Sequence, residues 1–487
     1  MTGLRAVVVP PASPERFAEV LGSRDAGEMY AAMAASRDVL GDRVVWSVNS
    51  TEHGGGVAEM LRPLIGYARG TGIDARWMVI EGEPEFFVVT KRIHNLLHGS
   101  PGDGGRLGDA ERAVYERTLD APGRELASLV SPGDLVLLHD PQTAGLAPAL
   151  AGSGAHIVWR SHIGTSLPND VGHLAVRFLL PYIREAEAYV FSRQAYAWPE
   201  LDASRVHVIA PSIDPFSPKN EPLGRATVAA VLRAAGIADG TAKGVPSFTR
   251  EDGSRGRVDR RAEVRREAVP PLRAPMVTQV SRWDRLKDHV GVLLGFAEHV
   301  APDSEAHLVL AGPALGSVSD DPEGVEVLGE VLAAWDGLPA AIRARIHVAC
   351  LPMDDPDENA VIVNALQRHS RIVVQKSLAE GFGLTVAEAM WKGRPVIGSR
   401  VGGIQDQVVD GRTGFLLDDP ADLGEFGRRL ATLLSDPALA RRMGRAGRRR
   451  VVRHYLGPRH LTQYLQLFQT LVEREATPAR KSRARAR

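Results

Sequence analysis

The densest run of chemically capable residues is Gln375 to Pro395, where Glu380 and Glu388 flank Gly381, Phe382, Gly383, Leu384 and Thr385. Two acids so spaced invite a general acid and base pair. Geometry argues against it: eight residues along one helix give about 80° of rotation and ~12 Å of rise, and the glycines interrupt such a helix. Glu380 is instead expected in a loop, and Glu388 one to two turns into a helix. So placed, the carboxylates meet different parts of one long ligand. Each accepts hydrogen bonds from paired hydroxyls, while the helix N-terminus at Gly383, Leu384 and Thr385 takes phosphate. Either Glu alone also reads as a solvated surface acid; the glycines and the strand-loop-helix context favour the ligand.

Other runs carry complementary chemistry. Arg282-Trp283-Asp284-Arg285-Leu286-Lys287-Asp288 follows a strand, and a positioned guanidinium and ammonium stabilise a leaving group whose negative charge grows. His139 and Asp140 end one strand and His162 follows the next; a carboxylate there can hold sugar hydroxyls and an imidazole can donate to them. Asn49-Ser50-Thr51-Glu52-His53-Gly54-Gly55-Gly56 leads from a strand into a helix, so backbone N–H groups can approach a phosphate or a sugar ring. A tight turn needing positive φ is the plain alternative. Glu59 stands where a dinucleotide fingerprint starting at Gly54 needs glycine, and no G-x-x-x-x-G-K-[ST] occurs. Asn49-Ser50-Thr51 also spells a glycosylation sequon, discounted at a strand end. His94 and His98 share a helix face without an evident third metal ligand, and Asp355-Pro356-Asp357 reads as a loop. No metal site is expected.

These groups need strands to hold them. Short apolar runs bounded by turn residues alternate with helix-like stretches, as in βαβ units. Buried strands are expected at Arg43–Val48, Trp77–Ile80, Leu135–His139, His156–Ser161, Ala188–Ser192 and Val206–Ala210. A second series follows at Met276–Ser281, Ala306–Ala311, Ile346–Cys350, Ile372–Gln375, Pro395–Gly398 and Gly414–Leu417. Two series predict two doubly wound α/β domains, 1–215 and 216–454. The apolar-poor segment 236–275 reads as an exposed insertion, partly disordered. A helix at about 455–475 has Leu461, Tyr464, Leu465, Leu467, Phe468 and Leu471 on one face and is expected to pack back on the first domain. Residues 477–487 read as a disordered basic tail.

Composition narrows the class further. The 487 residues carry 59 Lys+Arg against 59 Asp+Glu, yet from Arg441 onward there are 14 basic and 2 acidic residues. The balanced total argues against a dedicated nucleic-acid binder, and the basic end is most simply a solvated face and tail. One cysteine, Cys350, excludes an internal disulfide, and no apolar run reaches the ~20 residues that cross a bilayer. Met1–Pro14 carries one Arg and then Pro10, Pro11 and Pro14, a pattern not expected of a signal peptide. The expectation is a cytoplasmic protein without nucleic-acid or membrane partners.

The Glu-x7-Glu segment with Gly-Phe-Gly-Leu-Thr between its acids resembles the retaining glycosyltransferases of the GT-B fold, the glycogen synthase and sucrose synthase-like group. Across the chain the resemblance sharpens toward the trehalose glycosyltransferring synthases. It rests on Asn49–Thr51 with Gly54–Leu61, Trp77–Gly82, Phe86–Lys91, His139–Gln142, Trp159–His162, Pro211–Pro215 and Ala389–Gly393. Ala379 departs from the basic residue expected before the first acid. The resemblance implies two Rossmann-like domains facing a cleft, and transfer of glucose from ADP-, UDP- or GDP-glucose to glucose, giving trehalose with retention. A related α-glycosyltransferase or trehalose phosphorylase with another acceptor is the alternative. Asp140 would bind the acceptor, His162 the transferred sugar and Glu380 sugar hydroxyls, with Arg282 and Lys287 on the diphosphate. Donor binding would draw on Gly54, Gly55, Gly56, Arg282, Lys287, Gly383, Leu384, Thr385 and Glu388. Arg285 has no counterpart and reads as a surface charge. No cofactor is required, the partners are small sugars and nucleotide sugars, and a homodimer is left open.

Overall fold

Long stretches of Val, Ile and Leu between turn residues form strands buried on both faces, and they assemble into two sheets of seven strands each. The structure is a computed structural model that describes residues 3–485, apart from 53–54, 167–168, 242 and 316–321; side chains of 322 and 475–485 are likewise outside the description. The chain divides into two compact units, Met1–Ser212 with Tyr455–Arg487, and Ile213–His454.

The first unit contains β1 (Leu4–Val7), β2 (Val45–Asn49), β3 (Ala75–Ile80), β4 (Leu135–His139), β5 (His156–Ser161), β6 (Ala188–Phe191) and β7 (Val206–Val208), in the order β1-β3-β2-β4-β5-β6-β7. All pair in parallel except β1, which runs antiparallel to β3 at the edge. Every residue of β2, β4, β5 and β6 is buried. The chain builds from β2 to β3 and then reverses to place β4 on the other side of β2. The C-terminal ends of β2 and β4 therefore flank a topological switch point, where open α/β sheets bind ligands.

The second unit repeats the plan. A small hairpin of β8 (Ser247–Thr249) and β9 (Arg255–Arg257) precedes β10 (Glu263–Arg265), β11 (Met276–Val280), β12 (His307–Pro313), β13 (Ile346–Leu351), β14 (Ile372–Gln375), β15 (Val396–Ser399) and β16 (Gly414–Leu417). The sheet order is β10-β13-β12-β11-β14-β15-β16, with only β10 antiparallel. Here the switch point lies between β11 and β14.

The described part of segment 236–275 is largely exposed, as expected, but it is ordered rather than partly disordered. Phe248 and Val258 are buried in the core of the second unit. Arg250 forms a bidentate pair with Asp355 at 3.0 and 2.7 Å, and the buried Glu358 accepts the N–H groups of Asp259 and Arg260 at 2.7 and 2.6 Å. Two apolar anchors and these partners order a segment whose composition alone suggests otherwise. Asp355, expected in a loop, is the N-cap of helix Pro356–His369. The last helix runs from Gly457 to Arg485, so most of the 477–487 tail expected to lack structure is helical; Ala479, Arg480, Lys481 and Ala484 are good helix formers. That helix packs on helix Ser23–Leu40 and helix Gly56–Gly70 of the first unit. Among the described residues no helix is long and apolar enough to cross a membrane.

Candidate functional site

Each switch point gathers its own set of side chains. In the first unit β4 ends at His139, and Asp140 turns the chain out of the strand with φ 63°. Asp tolerates this left-handed conformation better than most residues. Its Oδ1 accepts the backbone N–H of His162 at 2.7 Å, and its carbonyl accepts Trp159 Nε1 at 3.2 Å, so adjacent strand ends fix the carboxylate. Oδ2 takes no hydrogen bond from the described residues. Burial pushes the Asp140 carboxyl up to about 7, against the pull of the His162 N–H and of Arg160.

His162 is enclosed by two partners. Arg160, fully buried, donates through Nε to His162 Nδ1 at 3.4 Å, and His162 Nε2 lies 3.1 Å from His139 Nδ1 with the rings stacked at 15°. A guanidinium can only donate, so His162 Nδ1 accepts and Nε2 carries the hydrogen given to His139. Both imidazoles stay neutral: burial and the neighbouring Arg160 hold His139 down to about 3 and His162 well below its ordinary value. Both ring nitrogens of His162, expected to contact a transferred sugar, are thus engaged by protein, and the backbone N–H serves Asp140. Arg160 also donates to Ile209 O at 2.7 Å and Ser192 Oγ at 3.3 Å.

Of the glycine loop, Gly54 lies outside the described residues. Gly55 has φ 98°, the left-handed region that favours glycine, and Gly56 opens helix Gly56–Gly70, which continues through Pro63. Asn49 is buried, its Oδ1 accepting Trp77 Nε1 at 2.7 Å and its Nδ2 donating to Thr51 O at 2.6 Å.

In the second unit the loop after β11 and the loop after β14 are tied together, Leu378 N–H donating to Leu286 O at 2.8 Å. Lys287 Nζ donates to Glu380 Oε2 at 2.7 Å, with Ser377 Oγ 3.3 Å from the same oxygen. Gln279 Nε2 holds the Lys287 carbonyl at 2.8 Å. Arg282 is half exposed and bonds Asp284 Oδ2 at 3.2 Å, while Arg285, as expected of a surface charge, pairs with Glu326 and Glu330.

Gly383 adopts φ 81° and precedes helix Leu384–Trp391. Its own Cβ would lie 3.3 Å from Glu380 Cγ, so the absent side chain lets the acid sit against the helix start. Gln407 Nε2 donates to Phe382 O at 2.6 Å and Gly383 O at 3.2 Å, and Thr385 Oγ1 to Gln375 Oε1 at 3.0 Å. The first amides of this helix, at Leu384 and Thr385, have no intrahelical acceptor and carry the positive end of the dipole. Cation, acid and helix N-terminus together suit a ligand with phosphates and hydroxyls.

Glu388 is set apart from that surface. It is buried, Oε1 lies 3.4 Å from Lys219 Nζ, and Oε2 has no hydrogen-bond partner among the described residues. Beneath it the buried Lys392 Nζ donates to Asn220 Oδ1 at 2.9 Å and Gln367 Oε1 at 2.7 Å, and burial lowers its pKa well below the ordinary value. Sequence reasoning missed Lys219, distant along the chain from Glu388, and Arg160, although it lies within the quoted Trp159–His162 block. His94 and His98 touch edge to face at 4.7 Å, and among the described residues no three or more of His, Cys, Asp and Glu are grouped so as to hold a metal ion.

Comparison with known proteins shows the family of the chain. Residues 47–198 match the family "Trehalose synthase, N-terminal domain", and residues 260–450 match "Glycosyl transferases group 1". The chain is 34% identical to a trehalose synthase of Rubrobacter xylanophilus over 91% of this chain and 94% of that one. It is 32% identical to a trehalose synthase of Pyrococcus horikoshii over 94% and 96%. The fold resembles an α,α-trehalose-phosphate synthase (UDP-forming) from Burkholderia xenovorans, solved with glucose-6-phosphate, with a TM-score of 0.63 at 15% identity over 89% of this chain and 99% of that one. Two Rossmann-like units with these matches make the chain a GT-B glycosyltransferase, and it belongs to the trehalose synthase family.

Proposed function

We propose that this glycosyltransferase moves glucose from a nucleoside diphosphate glucose to free glucose, forming trehalose with retention of the α configuration. The observation that carries the reading is the juxtaposition, at the second switch point, of Lys287, Glu380 and the helix start at Gly383. A nucleotide sugar needs all three: cations for the diphosphate, an acid for sugar hydroxyls and amides for phosphate oxygens. Arg282 joins Lys287 on the diphosphate, and Glu388 takes the ribose, its unpaired buried oxygen being the available acceptor. Within the first unit Asp140 Oδ2 holds the acceptor, and Gly55, with φ 98°, lets a ligand approach the backbone at the start of helix Gly56–Gly70.

In the reaction the bond between the anomeric carbon and the diphosphate oxygen breaks, and its electron pair leaves with the diphosphate. Arg282 and Lys287 stabilise that developing charge more than the ground state. The acceptor hydroxyl, oriented by Asp140, attacks the same face and gives its proton to the departing phosphate oxygen. No enzyme nucleophile is needed, and the diphosphate charge is assigned to these side chains and the helix dipole rather than to a metal. A cytoplasmic setting supplies such donors.

The test is a donor panel: UDP-, ADP- and GDP-glucose, each with glucose, the product identified by its α,α anomeric signals. Trehalose with at least one donor is expected, its formation unaffected by a chelator. No trehalose with any donor overturns the reading, and cleavage of trehalose by phosphate without nucleotide replaces it with phosphorolysis.

A further inference from the structure

The last helix carries more buried polarity than packing requires. His460 is fully buried with Nδ1 2.8 Å from Ser212 Oγ, and its Nε2 has no hydrogen-bond partner among the described residues. Tyr464, stacked against His460 with ring centroids 5.2 Å apart, likewise buries an unpartnered hydroxyl. Arg459 donates through Nη2 to Ala210 O at 2.5 Å and Pro211 O at 3.0 Å. Burying polar atoms without partners is unfavourable, and an apolar residue at either position would fill the space without that cost.

These groups converge on the Asp140 cluster. Arg459 and His460 grip Ala210, Pro211 and Ser212, and the residue before them, Ile209, is held through its carbonyl by Arg160. Arg160 in turn donates to His162, whose backbone N–H fixes Asp140. Tyr464 feels the charges of both Arg160 and Asp140, and His460 those of Arg459 and Arg160. Tyr464 and His139 also line one small cavity of about 60 Å³ against Val45, Ser47 and Leu137.

We propose that His460 and Tyr464 are positioning residues of the acceptor site, acting through the Ala210–Ser212 segment and Arg160 to hold His162 and, with it, the Asp140 carboxylate. The inference rests on the reading that Asp140 receives the acceptor sugar.

Steady-state kinetics of His460→Ala, His460→Asn and Tyr464→Leu test it on the full-length protein. Misplacing a binding group by a fraction of an ångström is felt at the site, so in folded His460→Ala and Tyr464→Leu, the latter losing the ring stacked on His460, the KM for glucose should rise about tenfold while the donor KM stays within about twofold. His460→Asn, which keeps an amide near Ser212, should recover most of the loss. A merely structural role lowers melting temperature and active fraction and leaves the KM values where they were. Unchanged glucose KM in the folded variants, an equal change in donor KM, or no recovery in the Asn variant overturns the proposal. Should the wild type use another acceptor, that acceptor's KM is read instead. Should it use none, the functional reading fails on its own, and the ¹⁵N shifts of the His162 ring in His460→Ala decide: altered shifts support positioning, unaltered shifts overturn it.

Discussion

Asp140 is where binding chemistry and folding pull in opposite directions. Its carboxyl is raised to about 7 chiefly by burial, and its φ is 63°. A folded-state pKa above the unfolded one means that ionisation penalises the fold. The penalty is nil below the unfolded value near 4, grows between about pH 4 and 7, and is complete above 7. Asp140→Asn keeps a residue that tolerates positive φ and removes the charge. It should therefore raise the melting temperature by a few degrees at pH 8, and by less at pH 5, in differential scanning calorimetry. The same variant should lose most turnover. If the acceptor hydroxyl is oriented by the carboxylate form, wild-type kcat/KM for glucose should rise with pH through about 7. A variant that is neither more stable at pH 8 nor slower would refute the role.

The basic pair is tested at the same scale. Arg282→Ala and Lys287→Ala should each lower turnover by a factor on the order of 10² or more, the scale of losing one preorganised charge partner of the leaving group. Lys287→Ala should also weaken donor binding, because Glu380 loses the ammonium 2.7 Å away. Near-normal rates in single-turnover assays would remove either residue from the diphosphate site.

Among the elements, the start of helix Leu384–Trp391 is the most sensitive. Gly383→Ala places a side chain at φ 81°, strained by roughly 1–2 kcal/mol, and 3.3 Å from Glu380 Cγ. The acid or the helix start must shift, so donor KM should rise severalfold while glucose KM changes little; equal changes in both would place the effect elsewhere. Elements were legible in the sequence where burial is complete. Leu135–His139, His156–Ser161, Ile372–Gln375 and Gly414–Leu417 have the bounds expected of them, because strands covered on both faces are mainly apolar, with buried polar residues such as His139, Arg160, Ser161 and Gln375 at or near their ends. The edge strands β1 and β10 and the hairpin of β8 and β9 were not legible. They are three or four residues long and mostly exposed, and Arg255-Gly256-Arg257 has no strand signature. The site follows the same division. Glu380, Lys287, Asp140 and Gly383 stand out by type and context, whereas Lys219, Arg160 and His460 gain their meaning only from neighbours brought by packing.

At the scale of the whole molecule, the first unit is discontinuous in sequence: Met1–Ser212 is completed by Tyr455–Arg487, whereas Ile213–His454 is one unbroken stretch. The two units should therefore respond differently to loss of the C-terminus. Ending the chain at His454 removes the buried Leu461, Tyr464, Leu465, Phe468 and Leu471 from the first unit, each worth about 1.5–3 kcal/mol of burial. It also leaves Ser212 without His460 and the carbonyls of Ala210 and Pro211 without Arg459. Summed, these losses match or exceed the 5–15 kcal/mol by which domains are ordinarily stable. The truncated chain should thus lose the thermal transition and protease resistance of its first unit. Its second unit, with Arg282, Lys287, Glu380 and Gly383 all inside 213–454, should keep its own transition and still bind a nucleoside diphosphate in calorimetry. Ending the chain at Ala476 removes only the basic end and should leave both transitions and turnover nearly unchanged. A protein truncated at His454 that kept both transitions would show that the last helix is dispensable to the first unit, and would take with it the positioning role of His460 and Tyr464.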